Sequence, residues 1–168
     1  QNRNYPIAVV LLLLAATNAL TLCGGLQNND AWQRQGSLAA VWLVLAMITL
    51  IGGRVIPFFT FRGLLRTAQV TAWPWLDWSL LIGSVLAALL TACGLLMQNT
   101  QALSGVLFFL LGAGHAIRLA RWFDAGLLRV PLLWSLHIAY AWLVAGCIGL
   151  ALWSFDLGVP EGQALHAL

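Results

Sequence analysis

His115 and His137 are the residues of this 168-residue chain whose type and placement best suit chemistry. Each interrupts an apolar run, where a polar side chain is expensive and therefore informative. His115 stands six residues before Arg121, and His137 six residues after Pro131. If both runs are helices, a rise of about 1.5 Å per residue puts each imidazole about 9 Å from its helix end. Consecutive antiparallel helices with a short connection would hold the two rings at a similar depth. A neutral imidazole ligates haem iron, copper and zinc, and facing helices of a bundle are a usual cradle for such a group. An interhelical hydrogen bond for each ring is the plainer reading and stays open beside it.

Around this pair lie groups that could support it. Tyr140 is three residues beyond His137, and Arg118 three beyond His115, so each shares its histidine's helix face. Arg118 can snorkel to lipid phosphate or grip a cofactor carboxylate. Arg54 follows Gly52–Gly53 and precedes Pro57 inside an apolar stretch. Pro57 removes a helical hydrogen bond and disfavours helix at Ile56, so freed carbonyls beside Arg54 predict a polar pocket, with snorkelling as the alternative. His166 belongs to the opposite side of the membrane. It can serve a second site or be a loop histidine.

The elements that must position these residues follow from composition. Hydrophobic residues make up 61% of the chain, mean hydropathy is +0.89, and only 8% are charged. A soluble domain carries roughly a quarter charged residues, so a disordered chain, a basic nucleic-acid module and an ordinary soluble enzyme are excluded. The apolar runs are long and do not alternate, which predicts an all-α polytopic helical bundle rather than a barrel. Spans are expected at about 5–26, 38–59, 75–97, 103–121 and 130–155, and residues 161–168 read as the start of a sixth. The short connection at 98–101 makes the third and fourth spans a hairpin. Cys23, Cys93 and Cys147 lie in apolar segments, show no CxxC and form no disulfide framework. With no initiator Met and abrupt ends, 1–168 reads as one membrane region of a longer protein.

All eight basic residues are Arg. Arg3, Arg54, Arg62, Arg66, Arg118, Arg121 and Arg129 fall on one side if the spans alternate, and Arg34 on the other. The positive-inside rule makes the first side, and the N-terminus, cytoplasmic. Trp73, Trp75, Trp78, Trp122 and Trp134 are expected in an interfacial belt on that side, with Trp32 and Trp153 opposite. Asp77, among three of these Trp, reads as a solvated helix-start residue. No phosphate loop, HExxH or GxSxG occurs, and Gly112-Ala113-Gly114 lacks the strand and third glycine of a dinucleotide site. No acid–base or nucleophile constellation marks an enzyme. A broken helix at Gly52–Pro57 would suit the alternative of a transporter or efflux component with a broken-helix substrate site.

Gly53-Arg54-Val55-Ile56-Pro57-Phe58-Phe59-Thr60 resembles the signature of the NnrS family of bacterial inner-membrane proteins. The stretch from His115 through Arg118 to Arg121-Trp122 resembles that family's His-x-x-Arg-x-x-Arg-Trp run. Pro131-Leu132-Leu133-Trp134 followed by His137-Ile138-Ala139-Tyr140-Ala141-Trp142 is similar to its next block. Gln163-Ala164-Leu165-His166-Ala167-Leu168 resembles the opening of a further His-containing helix. The resemblance runs from about residue 38 to the end. It implies a haem b- and copper-containing protein of about a dozen spans, tied to nitric oxide handling and nitrosative-stress resistance. It also implies that the remaining helices are partners of this region. His115, His137 and His166 would be metal or haem ligands on this view, with Arg54, Arg118 and Tyr140 supporting them or a haem propionate. Membrane lipid and nitric oxide are the expected partners, and nucleic acid is not.

Overall fold

A computed structural model describes residues 5–67, 70–98, 101–158 and 162. The described chain is helical, with no strand: α1 (Tyr5–Leu26), α2 (Asp30–Gly63), α3 (Pro74–Ala92), a short α4 (Leu95–Gln98), α5 (Gln101–Trp122), a 3-10 turn (Ala125–Arg129) and α6 (Pro131–Ser154). Five of these are long and apolar enough to cross a membrane. Pro74 and Pro131 occupy first turns, where a missing N–H costs nothing.

Three boundaries differ from the sequence expectation. α2 begins at Asp30, not near residue 38, and has 34 residues. Asn29 caps it by accepting from the Trp32 amide at 3.1 Å, and Asp30 complements the N-terminal dipole. At about 1.5 Å per residue α2 is about 50 Å long, so it outreaches the roughly 30 Å hydrocarbon layer. The expected third span stops at Ala92, because Gly94 adopts φ +73° and turns the chain into α4. The expected break at Pro57 is absent: α2 runs through it. Ile56, packed against Trp122 and Tyr140, stays helical, and neighbouring helices support the interrupted turn. The basis for a broken-helix substrate site is thereby removed.

α1 packs on α2, α2 on α3 and α5 on α6, and α2 also meets α6. The main core gathers Trp42, Leu43, Leu80, Phe108, Leu143 and their neighbours, with the Trp42 and Phe108 rings stacked at 4.9 Å. At one end Arg66 grips Asp124 through Nε (2.9 Å) and Nη2 (2.7 Å), tying the α2–α3 connection to the α5–α6 connection. The two Arg-bearing connections therefore share an end of the bundle, as alternating spans require. Trp73, Trp75, Trp78 and Trp134 are exposed near it, and Arg121 covers the Trp73 ring at 3.6 Å. Trp122 is the exception to the expected belt: it is buried.

Candidate functional site

The second, smaller core of Ile56, Trp122 and Tyr140 carries the polar residues. One turn of α5 places His115 and Arg118 together, and one turn of α6 places His137 and Tyr140 together. His115 is fully buried. Its Nδ1 lies 2.7 Å from the Tyr140 hydroxyl, and the two rings meet edge to face at 5.5 Å.

Arg118 is buried as well, with 4% exposure. Its Nη1 donates to the Thr49 carbonyl at 2.9 Å and to the Tyr140 hydroxyl at 3.4 Å. Its Nη2 lies 2.9 Å from Asp77 Oδ1. Its guanidinium carbon sits 4.9 Å from the Trp122 ring centre. Four helices (α2, α3, α5 and α6) thus meet at one cation. A charge inside a membrane protein persists only when it is paired and hydrogen-bonded, and this one is both.

α2 makes room for it with Gly53. A Cβ there would collide with Arg118 Nη2. Pro57 has no N–H to give the Gly53 carbonyl four residues back, so an under-satisfied carbonyl sits on the turn that receives the cation. The α2 carbonyl that Arg118 reaches is that of Thr49, one turn before Gly53. Arg54 itself is exposed.

His137 has a different setting. Its Nδ1 lies 2.8 Å from the Leu133 carbonyl, and its Nε2 lies 3.4 Å from the Trp122 carbonyl. Trp122 ends α5, seven residues and about 10 Å beyond His115. The structure brings His115, Arg118 and Tyr140 together, while His137 hydrogen-bonds to the Leu133 and Trp122 carbonyls instead. His137 stands about 4.5 Å of helix rise from Tyr140, and the two imidazoles meet different hydrogen-bond partners. His166 lies outside the described residues.

The charged partner that sequence reasoning missed is Asp77, read above as merely solvated. It is 37% exposed on its side chain, in the first turn of α3, and it neutralises Arg118. The signal was available: a membrane-embedded Arg needs an acid, and Asp77 begins a span at the Arg-bearing end. Within the described residues two buried polar atoms lack any hydrogen-bond partner, His115 Nε2 and Arg118 Nε. No three His, Cys, Asp or Glu among the described residues come together as a metal cage.

Five apolar helices closed over a buried cation network define a polytopic helical membrane protein. The model of the NnrS family, described as NnrS protein, matches residues 1–168, and the chain belongs to that family. Neither the curated proteins nor the solved structures provide a match.

Proposed function

We propose that this chain is the haem-binding part of a membrane protein that handles nitric oxide or protects against nitrosative stress, with His115 as an imidazole ligand. The observation that carries the reading is the buried His115 ring, held at Nδ1 by Tyr140 while Nε2 has no partner. A ligating imidazole has this arrangement, with one nitrogen oriented by a hydrogen bond and the other left for the metal. In this reading Tyr140 accepts from both His115 Nδ1–H and Arg118, the tautomer that leaves the ring's lone pair on Nε2. Arg118 supplies positive charge beside the ring, and Asp77 balances it.

His115, whose buried Nε2 has no partner, would hold the haem iron. When bound, haem would supply an iron able to take a diatomic gas. A copper centre asks for more donors than the described residues assemble. The described residues alone do not fit one, and in this reading His166 and further helices complete it. Membrane lipid surrounds the bundle, and an apolar gas enters such a site through hydrocarbon. The bacterial inner membrane, with the N-terminus and Arg-bearing connections cytoplasmic, is the proposed location.

The test is an optical spectrum and haem assay on the intact protein. The expected result is a Soret band that shifts when nitric oxide meets the reduced protein and is lost in His115→Ala. A His115→Ala protein fully loaded with haem would overturn the role of His115. A full-length protein that takes up no haem would overturn the function.

A further inference from the structure

Among the described residues, the Arg-bearing end of the bundle holds more cations than its acids balance. Asp77 and Asp124 are the acids there, and each is already engaged, Asp77 by Arg118 and Asp124 by Arg66. Asp30 and Asp156 stand at the other end, where α2 begins and just after α6. Arg121 donates to the Thr71 carbonyl at 2.6 Å and covers the Trp73 ring, so its charge meets no acid. Arg62, in the last turn of α2, and Arg129, closing the 3-10 turn, are both exposed. Neither forms an ion pair among the described residues. The two border one seam, where the end of α2 meets the connection into α6. A Cβ on Gly63 would press on the Leu133 side chain at 3.1 Å, and one on Gly126 would touch Leu64 at 3.3 Å.

The surface around these cations is apolar. Leu65 is 90% exposed, Leu128 65% and Phe123 57%. Leu65 also holds φ +51°, a left-handed backbone that a residue with a Cβ seldom adopts. Large apolar side chains grouped on a surface mark a place where something apolar meets it. A free anion would satisfy the guanidinium groups and leave the leucines wet. A phosphate that carries acyl chains satisfies both. Surplus positive charge further selects a headgroup of net negative charge over a zwitterionic one. We infer that Arg62 and Arg129 seat the phosphate of an anionic phospholipid, with Leu65 and Leu128 entering the acyl boundary beside it. This assignment does not depend on the role given to His115.

The test uses the full-length protein in vesicles that mix phosphatidylcholine with phosphatidylglycerol, one of the two brominated at a time. Trp73, Trp75, Trp78 and Trp134 are exposed near this end, and bromine quenches their fluorescence on contact. The expected result is phosphatidylglycerol association at least about fivefold stronger than that of phosphatidylcholine, the factor that one interfacial arginine supplies. The preference should collapse toward parity in Arg62→Gln/Arg129→Gln and in about 1 M salt. Equal quenching by the two lipids overturns the proposal, as does a preference that survives high salt or persists in the folded double variant. An equal loss in Arg34→Gln, at the opposite end, also overturns it. So does a preference erased by excess glycerophosphate at matched ionic strength, which would assign the cations to a free anion. The lipid and salt comparisons use unaltered protein and decide the matter even if the double variant fails to fold.

Discussion

Arg118 on α5 holds the Asp77 carboxylate of α3 at 2.9 Å, and the two partners are unequally wet: their side chains are 5% and 37% exposed. The pair should therefore respond asymmetrically to substitution. Removing Asp77 strands a cation among four helices, whereas removing Arg118 strands a carboxylate that already reaches the interface. Breaking a buried pair from the side that leaves an uncompensated charge costs about 3–5 kcal/mol. Asp77→Asn is expected near the low end of that range, because the amide still accepts one hydrogen bond. Arg118→Met, similar in volume, is expected to cost less. Unfolding in mixed detergent micelles measures both. A larger loss for Arg118→Met would show that the Thr49 and Tyr140 contacts outweigh the ion pair.

Gly53 meets the same cation from α2, and its hydrogen is all that the packing allows. Gly53→Ala puts a methyl group into the Arg118 guanidinium. In a helix Ala is otherwise better than Gly by about 1 kcal/mol, so a net loss must come from the collision. The expected loss is about 1–3 kcal/mol, in the range for overpacked cores. In an Arg118→Ala background the same substitution should turn neutral or stabilising. A double-mutant cycle reads the coupling, and additive effects would refute the contact.

The outer pair, Arg66 with Asp124, predicts a pH dependence in the two connections it joins. The Arg66 hydrogen bonds, and then the Gly126 amide at 2.9 Å, hold the Asp124 carboxyl below its ordinary range. Asp124 also raises the Arg66 guanidinium. The folded carboxyl thus binds its proton less readily than the unfolded one. Its contribution is whole above the ordinary carboxylate value near 4 and drains away as pH falls through the lower folded value. Hydrogen exchange across residues 123–130 should rise on acidification in the wild type. In Asp124→Asn it should already be raised at neutral pH and vary little. Both side chains touch solvent, so the difference should shrink at high salt.

Much of this bundle is legible in the sequence for a simple reason. A run of apolar residues long enough to cross hydrocarbon has few other stable fates, so all five spans appear near their expected places. Arginines grouped at and after the ends of the second and fourth spans foretell that the α2–α3 and α5–α6 connections share an end, as Arg66 and Asp124 show. Register is what composition hides. Which atoms meet across α5 and α6 depends on a stagger of a few residues, and that stagger sets His115 against Tyr140 and His137 against Trp122. Asp77 and Trp122 were placed at the interface from residue type alone. Their inward roles come from long-range packing against Arg118, which no local pattern encodes.

Tyr140 offers a way to separate support from scaffold at the buried ring. Its aromatic ring packs against Trp122 at 5.0 Å and His115 at 5.5 Å, contacts that phenylalanine keeps. Only the hydroxyl partners of His115 Nδ1 and Arg118 Nη1 are lost in Tyr140→Phe. Arg118 retains Thr49 and Asp77, so the stability cost should be about 1–2 kcal/mol, that of one unmet buried hydrogen bond. The effect on His115 should be larger in proportion, because a ring without its Nδ1 partner loses its fixed tautomer and orientation. Removing such a supporting group weakens metal binding by about 10- to 100-fold. A haem titration of Tyr140→Phe should therefore show weakened affinity and an altered Soret position while thermal unfolding changes little. Undiminished affinity with an unchanged spectrum would leave Tyr140 a packing residue.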